Sequence, residues 1–195
     1  MWAWGELLQI LEEKGDTAVY EQYIQAVNEE DFLIRSRVHG MAHTRRVLLH
    51  TLSLVHLLAL NEADKKLLCL ASVYHDIGRV NDGPDPEHGE RSWQQAVHKP
   101  LVKELSDEEQ AILAFIIANH CLDDRVGLAN VSQYCIQDQE RACRLLQIFK
   151  DADGLDRVRI YDLNPAWLRN EEARQLSSVA WTLFKEDGGA DFLRT

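Results

Sequence analysis

The chain has 195 residues, 46% of them hydrophobic and 27% charged, an ordinary globular balance that excludes a disordered or fibrous chain and suffices for one domain with a full core. Its 32 acidic against 21 basic residues leave a net charge of −11, which opposes a nucleic-acid backbone and argues against a strand or duplex as partner. Four prolines and ten glycines leave no room for a collagenous or proline-rich segment.

The periodicity is helical almost throughout, and the fold class read from it is all-α. Leu7, Leu8 and Leu11 open an amphipathic segment that stops at Gly15, and Asp16 can cap the next helix. That helix carries Val19, Tyr23, Ile24 and Val27 at the spacing of one buried face. From Met41 to Leu60 runs a segment apolar on so many sides that it should be central. Its apolar stretch, Val47 to Leu60, falls short of the roughly 20 residues that cross a bilayer. Asn61 or Glu62 starts another helix, which leads into YHDIG and ends at Gly78. GRVNDGPDPEHG is the clearest loop. His88 to His98 and Ser106 to His120 read as helices, the second opened by a Ser106/Glu109 capping box. Asp138 to Arg159 reads as a helix broken near Gly154. Asn164-Pro165 and Asn170-Glu171-Glu172 are further N-terminus signals, the last for a helix that ends before Gly188-Gly189. No period-two run, repeat or low-complexity tract stands out.

Cys69, Cys121, Cys135 and Cys143 show no C-x-x-C spacing, so neither a zinc ribbon nor a thioredoxin-type pair is expected. Four thiols in a chain able to build its own core fit a reducing cytoplasm, and MWAWGELLQILEEKG lacks the basic start of a signal peptide. No G-x-S-x-G elbow or P-loop is present.

Of eight histidines, three features select a subset. His43 stands in HGMAHTRRV at the start of the long central helix; His75-Asp76 stands at the end of the next; Asp151 and Asp153 stand in KDADGLDRVR. Imidazole and carboxylate suit divalent first-row ions, and adjacent His and Asp at a helix end can turn toward one ion. The dipeptide alone is close to what chance supplies, and the ordering of the three motifs is what makes the pattern specific.

H-x-x-R-V (His43 to Val47), HDIGR (His75 to Arg79) and DADGLD (Asp151 to Asp156) resemble the H…HD…D signature of the HD-domain metal-dependent phosphohydrolase superfamily, over about Val38 to Arg159. The resemblance implies a single helical bundle of the phosphodiesterase-like type, with N-terminal helices over 1–38, a core over 39–159 and C-terminal helices over 160–195 packed on it. It implies His43, His75, Asp76 and Asp153 as ligands of a divalent ion (manganese, iron, cobalt, zinc, nickel or magnesium), with Asp153 chosen over Asp151 because Ala152-Asp153-Gly154-Leu155 fits A-D-x-L. His88 in EHGERS and His120 in IIANHC hold the order of a second ion's ligands in two-metal relatives. Such a centre hydrolyses a phosphate ester with an activated water, with Asp76 bridging the ions or orienting that water.

Arg79 follows the dipeptide by three residues and is placed to grip a phosphate with a guanidinium fork; Arg91 is a weaker candidate. Arg45, Arg46, Arg157 and Arg159 read as solvated surface charges, and His50, His56 and His98 as surface or hydrogen-bonded core residues. His39, four residues before His43, either orients a ligand or makes a simple N-terminal contact. Trp93 and Trp181 read as core or rim. Arg79-Val80 replaces the acidic pair of alarmone hydrolases and the Glu of the bacterial 5′-nucleotidase branch, while the HHE and GYP of the cyclic-dinucleotide branch are missing. The resemblance is therefore to small stand-alone members that act on a nucleotide or other small phosphate ester. The rival readings are a non-catalytic metal- or nucleotide-binding regulator with the same fold, and a helical interaction module whose His and Asp are structural.

Overall fold

The described residues, 2–185 of a computed structural model, contain helices and 3₁₀ turns and no strand. The long segments are α1 (Trp4–Glu13), α2 (Asp16–Ile24), α3 (Met41–Leu57), α4 (Glu62–Tyr74), α5 (His88–Ala96), α7 (Asp107–Asn119), α9 (Gln139–Leu155) and α11 (Ser177–Lys185). The short ones are α6 (Pro100–Lys103), α8 (Asp124–Ala129) and α10 (Glu171–Gln175). None is long and apolar enough to cross a membrane.

A four-helix core forms because α3, α4 and α7 are apolar over most of their surface and α9 adds one apolar face. α3 packs on α4 and α9, α7 on α4 and α9, and α4 on α9. Leu48, Leu52, Leu68, Phe115, Ile116, Leu146 and Phe149 are wholly or almost wholly excluded from solvent; burial of each such side chain contributes about 1.5–3 kcal/mol. The Thr51 and Ser72 hydroxyls pair inside, meeting at 2.8 Å between α3 and α4. Around this core, α1 and α2 lie on α3, α11 lies on α3 and α1, and α5 lies on α7.

Two glycines set how closely the loop after α4 and the start of α5 approach their neighbours. A Cβ at Gly78 would fall 2.3 Å from the Ser92 amide nitrogen, and one at Gly89 2.6 Å from the Ile117 carbonyl oxygen. Gly78 therefore does not act as the helix stop: α4 ends at Tyr74, His75 takes the cap position, and the glycine lets the following turn rest on α5. Gly89 lets α5 touch the backbone of α7 one residue after His88.

The caps at Asn61 and Ser106 form, their side chains accepting from the amides of Asp64 and Glu109. Gly15 adopts φ +77° between α1 and α2, but Asp16 does not cap: its buried carboxylate pairs with Lys65 of α4. α3 stops at Leu57 and α5 at Ala96, each short of the expected end. α9 runs through Gly154 and breaks only after Leu155, where residues Asp156–Ile160 tighten into a 3₁₀ turn. The helix expected from Asn170 is interrupted at Leu176 into α10 and α11, and its expected end at Gly188-Gly189 lies outside the described residues.

Candidate metal centre

Five helices deliver imidazoles and carboxylates to one point. His43 comes from the first turn of α3, His75 and Asp76 from the end of α4, His88 from the first residue of α5, His120 from the cap of α7, and Asp153 from the last turn of α9. His43 and His75 meet through their Nε2 atoms at 3.0 Å, with Asp153 Oδ1 3.3 Å and Asp76 Oδ2 3.5 Å from His43 Nε2. His88 and His120 meet through Nε2 at 2.9 Å, with Asp76 Oδ1 3.1 Å and 3.7 Å away respectively. Asp76 therefore presents one oxygen to each histidine pair.

The other ring nitrogens settle where the protons are. His75 Nδ1 donates to the Ser72 carbonyl at 3.0 Å and His120 Nδ1 to the Ile117 carbonyl at 2.7 Å. His88 Nδ1 donates to the Asp85 carbonyl, and His43 Nδ1 donates to Asp156 Oδ2 at 2.7 Å. Each of these rings thus carries a proton on Nδ1, and wherever both rings of a pair are neutral their Nε2 lone pairs oppose each other, at 3.0 and 2.9 Å. An arrangement repulsive between bare nitrogens becomes favourable around a cation, and this is the test that the donor set passes: it fits divalent metal.

The electrostatics favour ionised carboxylates at this point. Burial raises the carboxyl of Asp76, but the imidazoles of His75, His120, His39 and His88 outweigh it and hold the group well below the usual carboxylate range. Asp153 is likewise held low, chiefly by His43 and His75 against burial. Burial pushes His75 down to about 3, which keeps the ring neutral. For His43, burial and Arg159 act downward, and Asp153 and Asp156 reverse the sign to a raised pKa.

Asp151 and Asp153 part company on α9. Asp151 is fully buried and accepts from the backbone amides of Arg169 and Asn170 at 2.8 and 2.7 Å, an anchor for the chain after α9. Asp153 keeps a side chain 28% exposed toward the cavity. Arg79 donates from Nε to Asp76 Oδ1 at 3.0 Å and from Nη1 to the Gly83 carbonyl at 3.2 Å, leaving Nη2 without a partner among the described residues. Arg91 faces elsewhere, held by the Gly78 carbonyl, Asp85 and Glu87. A cavity of about 640 Å³ opens over the cluster, lined by His39, Asp76, Arg79, Asp153, Arg159 and Trp167 among others.

Several side chains around the cluster differ from their sequence reading. Asp156 is fully buried, and both its oxygens are taken: Arg46 Nε and Nη2 donate to them at 2.6 and 3.1 Å, beside the His43 contact. Arg46, expected in solvent, is 3% exposed for that reason. Arg159 is also no surface charge, since it lies against the Asp156 carbonyl at 3.1 Å and His39 Nδ1 at 3.3 Å. His39 Nδ1 meets Asp76 Oδ2 at 2.9 Å, so of its two readings the contact with a candidate ligand is the one formed. His50 is buried with neither ring nitrogen bonded. Trp93 and Trp181 sit partly buried against the core, while Trp167 is exposed at the cavity mouth and takes Arg157 over its ring at 5.7 Å. A signal for Asp156 was present: His43/Arg46 and Asp153/Asp156 are two doublets of spacing three, which places each doublet on one side of its helix.

The family model for the HD domain matches residues 40–158. No curated protein and no solved structure matches the chain.

Proposed function

The chain belongs to the HD domain family, a superfamily largely of metal-dependent hydrolases, and from that premise we propose that it is a metal-dependent phosphohydrolase acting on a nucleotide or another small phosphate ester. One observation carries the reading: two pairs of buried imidazoles turn their Nε2 atoms on each other across a shared carboxylate, under a cavity edged by arginine. In this reading His43, His75, Asp76 and Asp153 would hold one ion, and His88, His120 and Asp76 would hold a second. Bound divalent ions supply an acidified water and a polarised phosphoryl oxygen.

The protein's own groups do the rest. Asp76 and Asp153 stay ionised in the buried site because imidazolium-capable rings surround them, so both carboxylates keep their charge for the ions. Asp156 and the Ser72, Ile117 and Asp85 carbonyls hold four rings in the Nδ1–H tautomer that frees Nε2. Arg79, through Nη2, and Arg159 supply donors for the phosphoryl oxygens at the cavity wall. The cavity volume lies within the range of sites that enclose a small molecule. Hydrolysis joins the oxygen of water to phosphorus and breaks the P–O ester bond, the leaving oxygen taking a proton.

The experiment is elemental analysis of protein purified without chelator, followed by a nucleotide and phosphoester screen with several divalent ions. Phosphate release that Asp76→Ala abolishes and His98→Ala leaves intact supports the reading. Metal-loaded protein inert to the whole panel would favour a non-catalytic binder.

A further inference from the structure

The two halves of the cluster are not equivalent. The His43/His75 half has a ligand candidate of its own beyond the shared Asp76: Asp153, grouped with both rings. No second carboxylate stands in that position beside His88 and His120 among the described residues. What stands there is a thiol. Cys121 Sγ, a ring nitrogen of His88 and one of His120 all lie within 4.8 Å of one another, a spread compatible with ligands sharing one ion.

We propose that Cys121 is a thiolate ligand in the His88/His120 half, so that this position selects zinc, cobalt(II) or iron(II) over magnesium and manganese. The proposal rests on the metal-centre reading above and adds to it the chemical class of the second ion. His88 and His120 are 2% and 6% exposed, each with Nδ1 taken by a backbone carbonyl and their Nε2 atoms 2.9 Å apart, so the thiol joins two buried nitrogens already turned to one point. Its hydrogen bond from Sγ to the Pro86 carbonyl at 3.3 Å is weak and easily given up. Cys121 also lines the cavity, which gives an ion a route to it. On binding, the S–H proton leaves to solvent, the contact with Pro86 breaks and a sulfur–metal bond forms, with no change of oxidation state. A soft thiolate in an otherwise nitrogen and oxygen set shifts preference away from the hard ions. The remaining thiols have no such company: Cys69 is buried in the apolar core, Cys135 is exposed, and Cys143 packs at the core's edge.

The test is cobalt(II) substitution of the full chain after chelator treatment, without oxygen, read by absorption spectroscopy. The expected result is a thiolate-to-cobalt charge-transfer band in the near ultraviolet alongside the visible d–d bands of bound cobalt. Cys121→Ser should lose the charge-transfer band and keep visible bands from the imidazole and carboxylate ligands, whereas Cys135→Ser should keep both. Visible bands without charge transfer in the unaltered protein, or charge transfer that survives in Cys121→Ser, overturns the proposal and leaves the metal centre standing. Absence of any bound-cobalt spectrum overturns both.

Discussion

Replacing Asp156 by Asn separates what holds the fold from what aims His43. The native carboxylate receives only donors: Arg46 Nε at 2.6 Å, Arg46 Nη2 at 3.1 Å and His43 Nδ1 at 2.7 Å. An amide of the same shape offers one acceptor oxygen and sets an NH₂ against a donor on the other side. It also strands a guanidinium that is 3% exposed. Breaking a buried pair by removing one charge costs about 3–5 kcal/mol, and the retained amide oxygen places this change at the lower end, about 3 kcal/mol. If the NH₂ faces His43, the ring answers by moving its proton to Nε2, the atom that faces His75 and Asp153, and so blocks a ligand position. Loss of such an orienting partner typically weakens metal affinity by about 10–100-fold, or roughly 1.4–2.7 kcal/mol. Urea denaturation in chelator reads the first effect, and competition with a chromophoric chelator reads the second. Arg46→Met is the control: it removes the guanidinium but leaves His43 its acceptor, so it should lower stability and spare metal affinity. Asp156→Asn binding metal within about threefold of the unaltered protein, well under the expected range, would refute the tautomer argument.

Arg79→Lys should reduce kcat/KM on the phosphoester found by the screen by the equivalent of about 1–3 kcal/mol, the range for a charge-assisted contact, with metal content unchanged; an unchanged kcat/KM removes Arg79 from substrate binding. Metal loading should raise the thermal midpoint and chelator should lower it, because an ion that binds only the folded chain adds about 2.7 kcal/mol at 100 times its Kd; coincident melting curves would mean no ion is held. His50 carries a pH dependence of known sign: burial, with Arg46 and His43 adding to it and Asp156 opposing, pushes its pKa from 6.5 down to about 4. Between those values the unfolded chain takes a proton that the folded chain refuses, so stability falls as pH drops through that window, by about 2 kcal/mol at pH 5. In chelator, His50→Leu should lose less stability than the unaltered protein on going from pH 7.5 to 5, and parallel profiles would show that His50 is not held neutral.

The sequence alone carried the helices and the order of the site motifs, because both are local. Apolar residues at helical spacing set α3, α7 and α9, and side-chain caps at Asn61 and Ser106 set two of the helix starts. A resemblance in three short motifs was enough to nominate His43, His75, Asp76 and Asp153, since each motif is a run of five or six consecutive residues. Contacts between helices were the part that only tertiary structure could decide. Whether Asp151 or Asp153 faces His43 depends on the rotation of α9, which the packing of Leu145, Leu146 and Phe149 fixes. Arg46 reads as a surface charge in its own segment and becomes a buried partner only when Asp156, 110 residues away, is brought to it. Cys121 has a sequence neighbour in His120, but its nearness to His88 arises from α5 resting on α7 at Gly89, where the lack of a side chain lets the two backbones close.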